Sequence, residues 1–111
     1  MTDRVDAALS ADADGVATVF VPHTTAGVVV GEAESGLLAD LRSLLADLVP
    51  EAGDYRHDAV DDNAAAHLRA TVLGEHVAVP VSAGALDLGT WQSVLFVECD
   101  GPRERRVRVR A

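Results

Sequence analysis

What this 111-residue chain lacks narrows it at once. It has no lysine, so all nine basic residues are arginines, set against 18 acidic residues for a formal charge of −9. Aspartate outnumbers glutamate by 12 to 6. Nucleic acids and anionic bilayers are bound through clustered Lys and Arg, so neither is expected as a partner. No apolar run approaches the roughly 20 residues of a transmembrane helix, and the acidic start MTDRVDAAL has the pattern of neither a signal nor a transit peptide. The only cysteine, Cys99, excludes an internal disulfide and fits a reducing, cytoplasmic setting. Its acidic neighbourhood, FVECDG, does nothing to lower the thiol pKa, so Cys99 reads as structural. One tryptophan, one tyrosine and two phenylalanines leave Val, Leu and Ala to build the core.

What is present is one domain's worth of chain with two periods. A short Ala-rich helical segment over residues 3–13 puts Val5, Ala8 and Leu9 on one face. GVATVFVP (15–22) and AGVVVGE (26–32) read as buried strands. Leu37, Leu41, Leu44, Leu45 and Leu48 recur at three- and four-residue steps, which predicts an amphipathic helix over 34–49, capped by Ser35 and stopped by Pro50. A polar loop without periodicity, 51–62, leads to a helix over 63–73 capped by Asp62 and ended by Gly74. The last third reads as strands: HVAVPV (76–81), an SAGA turn, TWQSVLFVEC (90–99), a DGP turn, and RERRVRVRA with Val107 and Val109 inward and Arg106, Arg108 and Arg110 outward. Segregated helices and strands predict an α+β fold: an antiparallel, sandwich-like β-sheet with two to three flanking helices.

Three of the four histidines have polar company. His23 ends an apolar run in VFVPHTTAG, His57 follows Tyr55 in DYRHD, and His67 sits in DDNAAAHL. Imidazole titrates near neutral pH and is the commonest metal ligand, but the ten-residue step from His57 to His67 matches no close-paired ligand motif. Each alone reads as well as a hydrogen-bonded cap. Thr24 and Thr25 add hydroxyls beside His23, suited to an anion or to a stabilised turn. Glu32 ends the second strand, where it is expected beside His23 as an orienting group or base, or as a solvated strand end. Trp91 and Gln92 suit packing or an interface. Arg103 and Arg105 read either as phosphate clamps or as surface charges. His76 begins a strand without polar neighbours and is left out of the site.

Taken in order, PHTTAG (22–27), Glu32, DYRHD (54–58), DNAAAHLRATVLG (62–74) and VPVSAGALDLGTWQSVLFVECDGPRERRV (79–107) resemble the YjbQ-like proteins, also called secondary thiamine-phosphate synthases. The resemblance covers about residues 15–110. It implies a small antiparallel sandwich flanked by helices, a homotrimer, and a polar cavity that holds three histidines and binds a metal. By position, His23, Thr24 and Thr25 match the family's histidine-hydroxyl motif, and Glu32 matches a glutamate whose preceding asparagine is Gly31 here. His57, Asn63 and His67 match the loop and helix positions, Trp91 and Gln92 the threonine-tryptophan-glutamine stretch, and Arg103 the glycine-proline-arginine turn. The implied roles are catalysis for His23, Glu32, His57 and His67, metal binding for the three histidines, and substrate binding for Thr24, Thr25, Asn63, Trp91, Gln92 and Arg103. Two departures stand out. The family's Asp-Pro step after the glutamate is replaced by EAESG, and the strand that usually precedes the segment equivalent to Val5–Leu9 is missing, so that either the start is misplaced or the sheet has an exposed edge.

The implied activity is a weak coupling of a pyrimidine pyrophosphate to a thiazole phosphate, giving thiamine phosphate. Three neutral imidazoles suit Zn²⁺ better than Mg²⁺. Two other readings share the pocket: metal-assisted hydrolysis of a small phosphorylated metabolite with Glu32 as base, and a trimer that captures a small anionic metabolite without turning it over.

Overall fold

The computed structural model describes every residue but Val60, and every side chain but those of Ala59 and Val60. Helix α1 (Thr2–Ala8) is followed by strands β1 (Gly15–Phe20) and β2 (Ala26–Gly31), helix α2 (Ser35–Leu48), a 3₁₀ turn (Arg56–Ala59), helix α3 (Ala64–Leu73), and strands β3 (His76–Ser82), β4 (Ala85–Leu86), β5 (Ser93–Glu98) and β6 (Arg108–Arg110). The fold is α+β with antiparallel sheets, as expected. One sheet has the order β4-β3-β1-β6, and the second pairs β2 with β5.

Side-chain alternation sets the register. Val19 faces Val77 and Ala17 faces Val79 across β1–β3, and all but Val77 of these four are buried. The core cluster is Val5, Val19, Val21, Ala26, Val28 and Val94, so aliphatic residues fill it. β3 turns into β4 through Ala83 (φ 51°) and Gly84 (φ 80°), the two positive-φ positions of a tight primed hairpin. The C-terminal alternation holds, with Val107 and Val109 partly buried and Arg106, Arg108 and Arg110 exposed, but only Arg108–Arg110 pairs as a strand. β5 is likewise shorter than its apolar run, because Trp91 and Gln92 belong to the turn before it.

The helix starts differ from the sequence reading. Glu34, not Ser35, caps α2: its Oε2 accepts the Leu37 amide at 2.6 Å, and Ser35 becomes the first helical residue. Asn63, not Asp62, sits at the cap of α3 without a capping side-chain bond, and Asp58 Oδ1 accepts the Ala64 amide instead. The leucine face of α2 also splits. Leu45 is buried, while Leu37, Leu44 and Leu48 are 48%, 59% and 58% exposed. The end of α2 is held by Arg69 of α3, whose guanidinium donates to the Val49 carbonyl through Nε (3.0 Å) and Nη2 (2.7 Å). On its side away from β2, β5 has no strand neighbour among the described residues. There the Val94 amide donates to the Thr2 hydroxyl at 2.9 Å.

Candidate functional site

The chain leaves β1 at Phe20 and enters β2 at Ala26 in a different sheet, so HTTAG is an arch between sheets rather than a hairpin. The arch, the start of α3 and the Asp100–Arg105 turn enclose an open pocket of about 890 Å³. His23, Thr24, Thr25, Asn63, His67 and Arg103 all line it. The structure thus brings together six of the ten residues singled out in the sequence. Asp61, Glu75, Asp100 and Arg105 line it as well.

A chain of hydrogen bonds organises one wall. His57 Nε2 meets Asn63 Oδ1 at 3.2 Å, Asn63 Nδ2 donates to Asp100 Oδ2 at 2.9 Å, and Arg103 Nη2 donates to the same oxygen at 3.0 Å. Asn63 bridges loop and turn with its side chain, which explains why it does not cap its own helix. The rings of His57 and His67 meet edge-on with centroids 4.6 Å apart. His57 itself stands behind the pocket, supporting Asn63 and His67, both of which line it. On the opposite wall His23 Nε2 accepts the Arg106 main-chain amide at 2.9 Å, which ties the arch to the last strand's approach. Below it Thr25, 6% exposed, is held by Arg105. Arg105 Nη2 reaches both the Thr25 hydroxyl (2.8 Å) and its carbonyl (3.2 Å), and Nε donates to Glu98 Oε1 at 2.6 Å. That bond holds the Glu98 carboxyl below its ordinary range, against the opposing effect of burial.

Three candidates stand elsewhere. β2 runs from Ala26 at the pocket to Gly31 at its far end, so Glu32 lies roughly 20 Å of strand from His23. The expectation that Glu32 sits beside His23 fails because the whole length of β2 lies between them. Ser93 pairs with Gly31, which puts Trp91 and Gln92 at Glu32's end of the sheet. Trp91 is 75% exposed, and Gln92 Oε1 accepts the Gly89 amide at 2.9 Å within its own turn. Asp61, Glu75 and Asp100 are pocket residues that sequence reasoning passed over, and Arg105 one that it left open. The signal for Arg105 was its place two residues before inward-facing Val107, on the same face of the alternation.

A three-histidine metal cage does not fit this geometry. The lone pair of His23 Nε2 is committed to the Arg106 amide. No group of three or more His, Cys, Asp or Glu among the described residues converges as metal ligands do. Cys99 offers no alternative chemistry, since burial and then the Glu98 charge push its thiol pKa up.

The family model for UPF0047 protein YjbQ-like matches residues 1–111. The chain belongs to the YjbQ/UPF0047 family. A UPF0047 protein of Archaeoglobus fulgidus is 50% identical over 111 residues, covering all of this chain and 87% of the relative. One from Mycobacterium tuberculosis is 41% identical over 107 residues, 96% of this chain and 80% of its own length. Among solved structures, a hypothetical protein of Aeropyrum pernix superimposes with a TM-score of 0.91 at 46% identity, covering 97% of this chain and 82% of that one. A conserved hypothetical protein of Thermus thermophilus gives 0.90 at 41% identity, with 98% and 86% covered. A Sulfolobus solfataricus relative is described as a YbjQ-like protein of unknown function. No helix among the described residues is long and apolar enough to cross a membrane.

Proposed function

We propose that the arch pocket binds a small phosphorylated metabolite, and that its reaction is the slow coupling of a pyrimidine pyrophosphate to a thiazole phosphate. The observation that carries this is the gathering of the His23 ring, the Thr24 and Thr25 hydroxyls, His67 and Arg103 around one cavity. Hydrogen-bond donors fixed in advance stabilise the charge of a departing pyrophosphate without reorganising. In the coupling, the methylene C–O bond breaks and the pyrophosphate leaves with the electron pair. The thiazole nitrogen lone pair forms the C–N bond, giving a thiazolium, and no proton or oxidant is required. The protein's contribution is proximity and charge. Purified protein incubated with both precursors should form thiamine phosphate, and His67→Ala should reduce it at least tenfold. Product at the no-enzyme rate would refute the coupling.

Non-catalytic capture is the second reading, and one observation favours it. Arg103 and Arg105 are already paired with Asp100 and Glu98, so little positive charge is left free to drive chemistry. Hydrolysis by a three-histidine zinc site asks for the His23 lone pair that the Arg106 amide already takes.

The working unit in this reading is a homotrimer. Glu32, Trp91 and Gln92 stand at one end of the β2–β5 sheet and the histidine pocket at the other. A neighbouring copy can bring the first end to the second. Exposed Leu37, Leu44, Leu48, Val72 and Trp91 supply the apolar surface that assembly would cover. Mixing His67→Ala with Trp91→Ala chains should restore binding that each alone has lost, whereas a self-contained pocket would give no complementation.

A further inference from the structure

We propose that His23 and His57 carry opposite tautomers, Nδ1–H on His23 and Nε2–H on His57, and that Asp100 is the positioning residue that sets the second through Asn63. His23 is decided by one bond. A main-chain N–H can only donate, so the Nε2 that receives Arg106's amide at 2.9 Å bears the lone pair. In the neutral ring the proton then sits on Nδ1. That nitrogen has no hydrogen-bond partner among the described residues, and His23 lines the pocket.

His57 is decided by a longer chain. An ionised carboxylate only accepts, and Asp100 Oδ2 already takes the Arg103 guanidinium at 3.0 Å. The Asn63 atom facing it at 2.9 Å is therefore the amide nitrogen. Its oxygen must then face His57, at 3.2 Å, and an amide oxygen only accepts. His57 Nε2 carries the proton, and Nδ1 is left as the lone pair. An asparagine is otherwise free to present either face. Asp100, with Arg103 behind it, removes that freedom.

The consequence for ligand class rests on the anion-pocket reading. A free N–H on His23 beside the Thr24 hydroxyl suits a ligand that offers acceptors only, such as phosphate or pyrophosphate oxygens, and gives nothing to an ammonium group.

A long-range ¹H–¹⁵N correlation spectrum of the ¹⁵N-labelled chain near neutral pH reads the tautomers directly. Expected are a protonated Nδ1 on His23 and a protonated Nε2 on His57. In Asp100→Ala the acceptor is gone while Arg103 stays on the residue-100 carbonyl, so the group left facing Asn63 only donates, turning Asn63 over so that it presents N–H to His57. His57 should then shift toward the Nδ1–H form while His23 stays as it was. A purely structural role for Asp100 would loosen the loop without exchanging tautomers. His23 found as Nε2–H, or His57 as Nδ1–H, in the wild-type chain overturns the assignment even where the variant fails to fold. An unmoved His57 in folded Asp100→Ala overturns the role of Asp100. Added inorganic pyrophosphate should move the His23 Nδ1–H resonance. With the tautomers as assigned and no movement, the anion pocket fails and the tautomers stand.

Discussion

Arg105 and Glu98 form a two-point ion pair beneath the candidate site, with Nε donating to Oε1 at 2.6 Å and Nη2 to Oε2. The side chains are only 11% and 27% exposed. Because Nη2 also holds the Thr25 hydroxyl and carbonyl, the pair fixes the floor of the arch as well as the turn that carries Asp100. Arg105→Ala takes the guanidinium from Glu98 and from Thr25, leaving them the Asp100 and Cys99 amides alone, so a loss of about 2 kcal/mol is expected. For a domain of this size that lowers Tm by on the order of 10 °C. Arg105→Lys keeps the charge but not the planar fork and should recover only part of it. A thermal melt of Arg105→Ala superimposable on that of the parent would show the pair to be ornamental.

The same pair fixes a sign for the pH dependence. The hydrogen bond from Arg105 lowers the folded-state pKa of Glu98 below 4.5, the value for an unperturbed glutamate. A depressed carboxyl contributes stability that is complete above its unfolded pKa and is lost as pH falls through the folded one. The parent chain should therefore lose stability from about pH 4.5 downward, and Arg105→Gln should lose less over the same range. Urea unfolding at stepped pH between neutral and acid measures both. Parallel pH profiles for the two chains would contradict the assignment.

Periodicity carried most of the fold into view. The alternation of Val107 and Val109 with arginines placed the last strand's faces, and the leucine spacing placed α2. Single-chain patterning failed where long-range partners decide. Nothing local says that β1 and β2 enter different sheets, and Glu32 lies a full strand's length from His23. Nor does spacing reveal that Asn63 turns from its helix toward Asp100, 37 positions away. The pocket's first wall was legible because His23, Thr24 and Thr25 are contiguous. Its second wall was legible only in Asn63, His67 and Arg103, because Asp100 and, beneath the arch, Arg105 acquire their roles only when the turn folds back.

Gly27 marks a place where backbone contact holds the site together. A Cβ there would stand 2.8 Å from Leu73 Cβ and 2.9 Å from the Gly74 carbonyl, which accepts the Val28 amide at 3.1 Å. Neither neighbour is a flexible side-chain end, so the added methyl must push the end of α3 off β2. Gly27→Ala should destabilise the chain by about 2 kcal/mol. Because the displaced helix carries His67 and follows Asn63, the variant should also weaken pyrophosphate binding while leaving the β1–β3 register intact. Amide exchange that remains slow along β3 but rises at the end of α3 would confirm where the strain goes. Uniform acceleration through both would point instead to loss of the whole fold.

Zinc offers the sharpest test of how the histidines are used. A metal that binds only the folded chain at 100 times its Kd adds about 2.7 kcal/mol of stability, an increment a melt detects with ease. With the lone pair of His23 Nε2 on the Arg106 amide, binding by all three rings would require breaking that bond. Added Zn²⁺ should therefore leave Tm unchanged, and a chelator should leave the purified chain's Tm unchanged too. His23→Gln tests the alternative use of that ring. Its amide can accept from Arg106 through oxygen but cannot extend a second donor to the pocket from the far side of a ring. Stability should hold within about 1 kcal/mol while pyrophosphate affinity falls several-fold. A zinc-dependent rise in Tm that disappears in His23→Gln would reverse this picture, making the ring a ligand and the Arg106 contact its resting position.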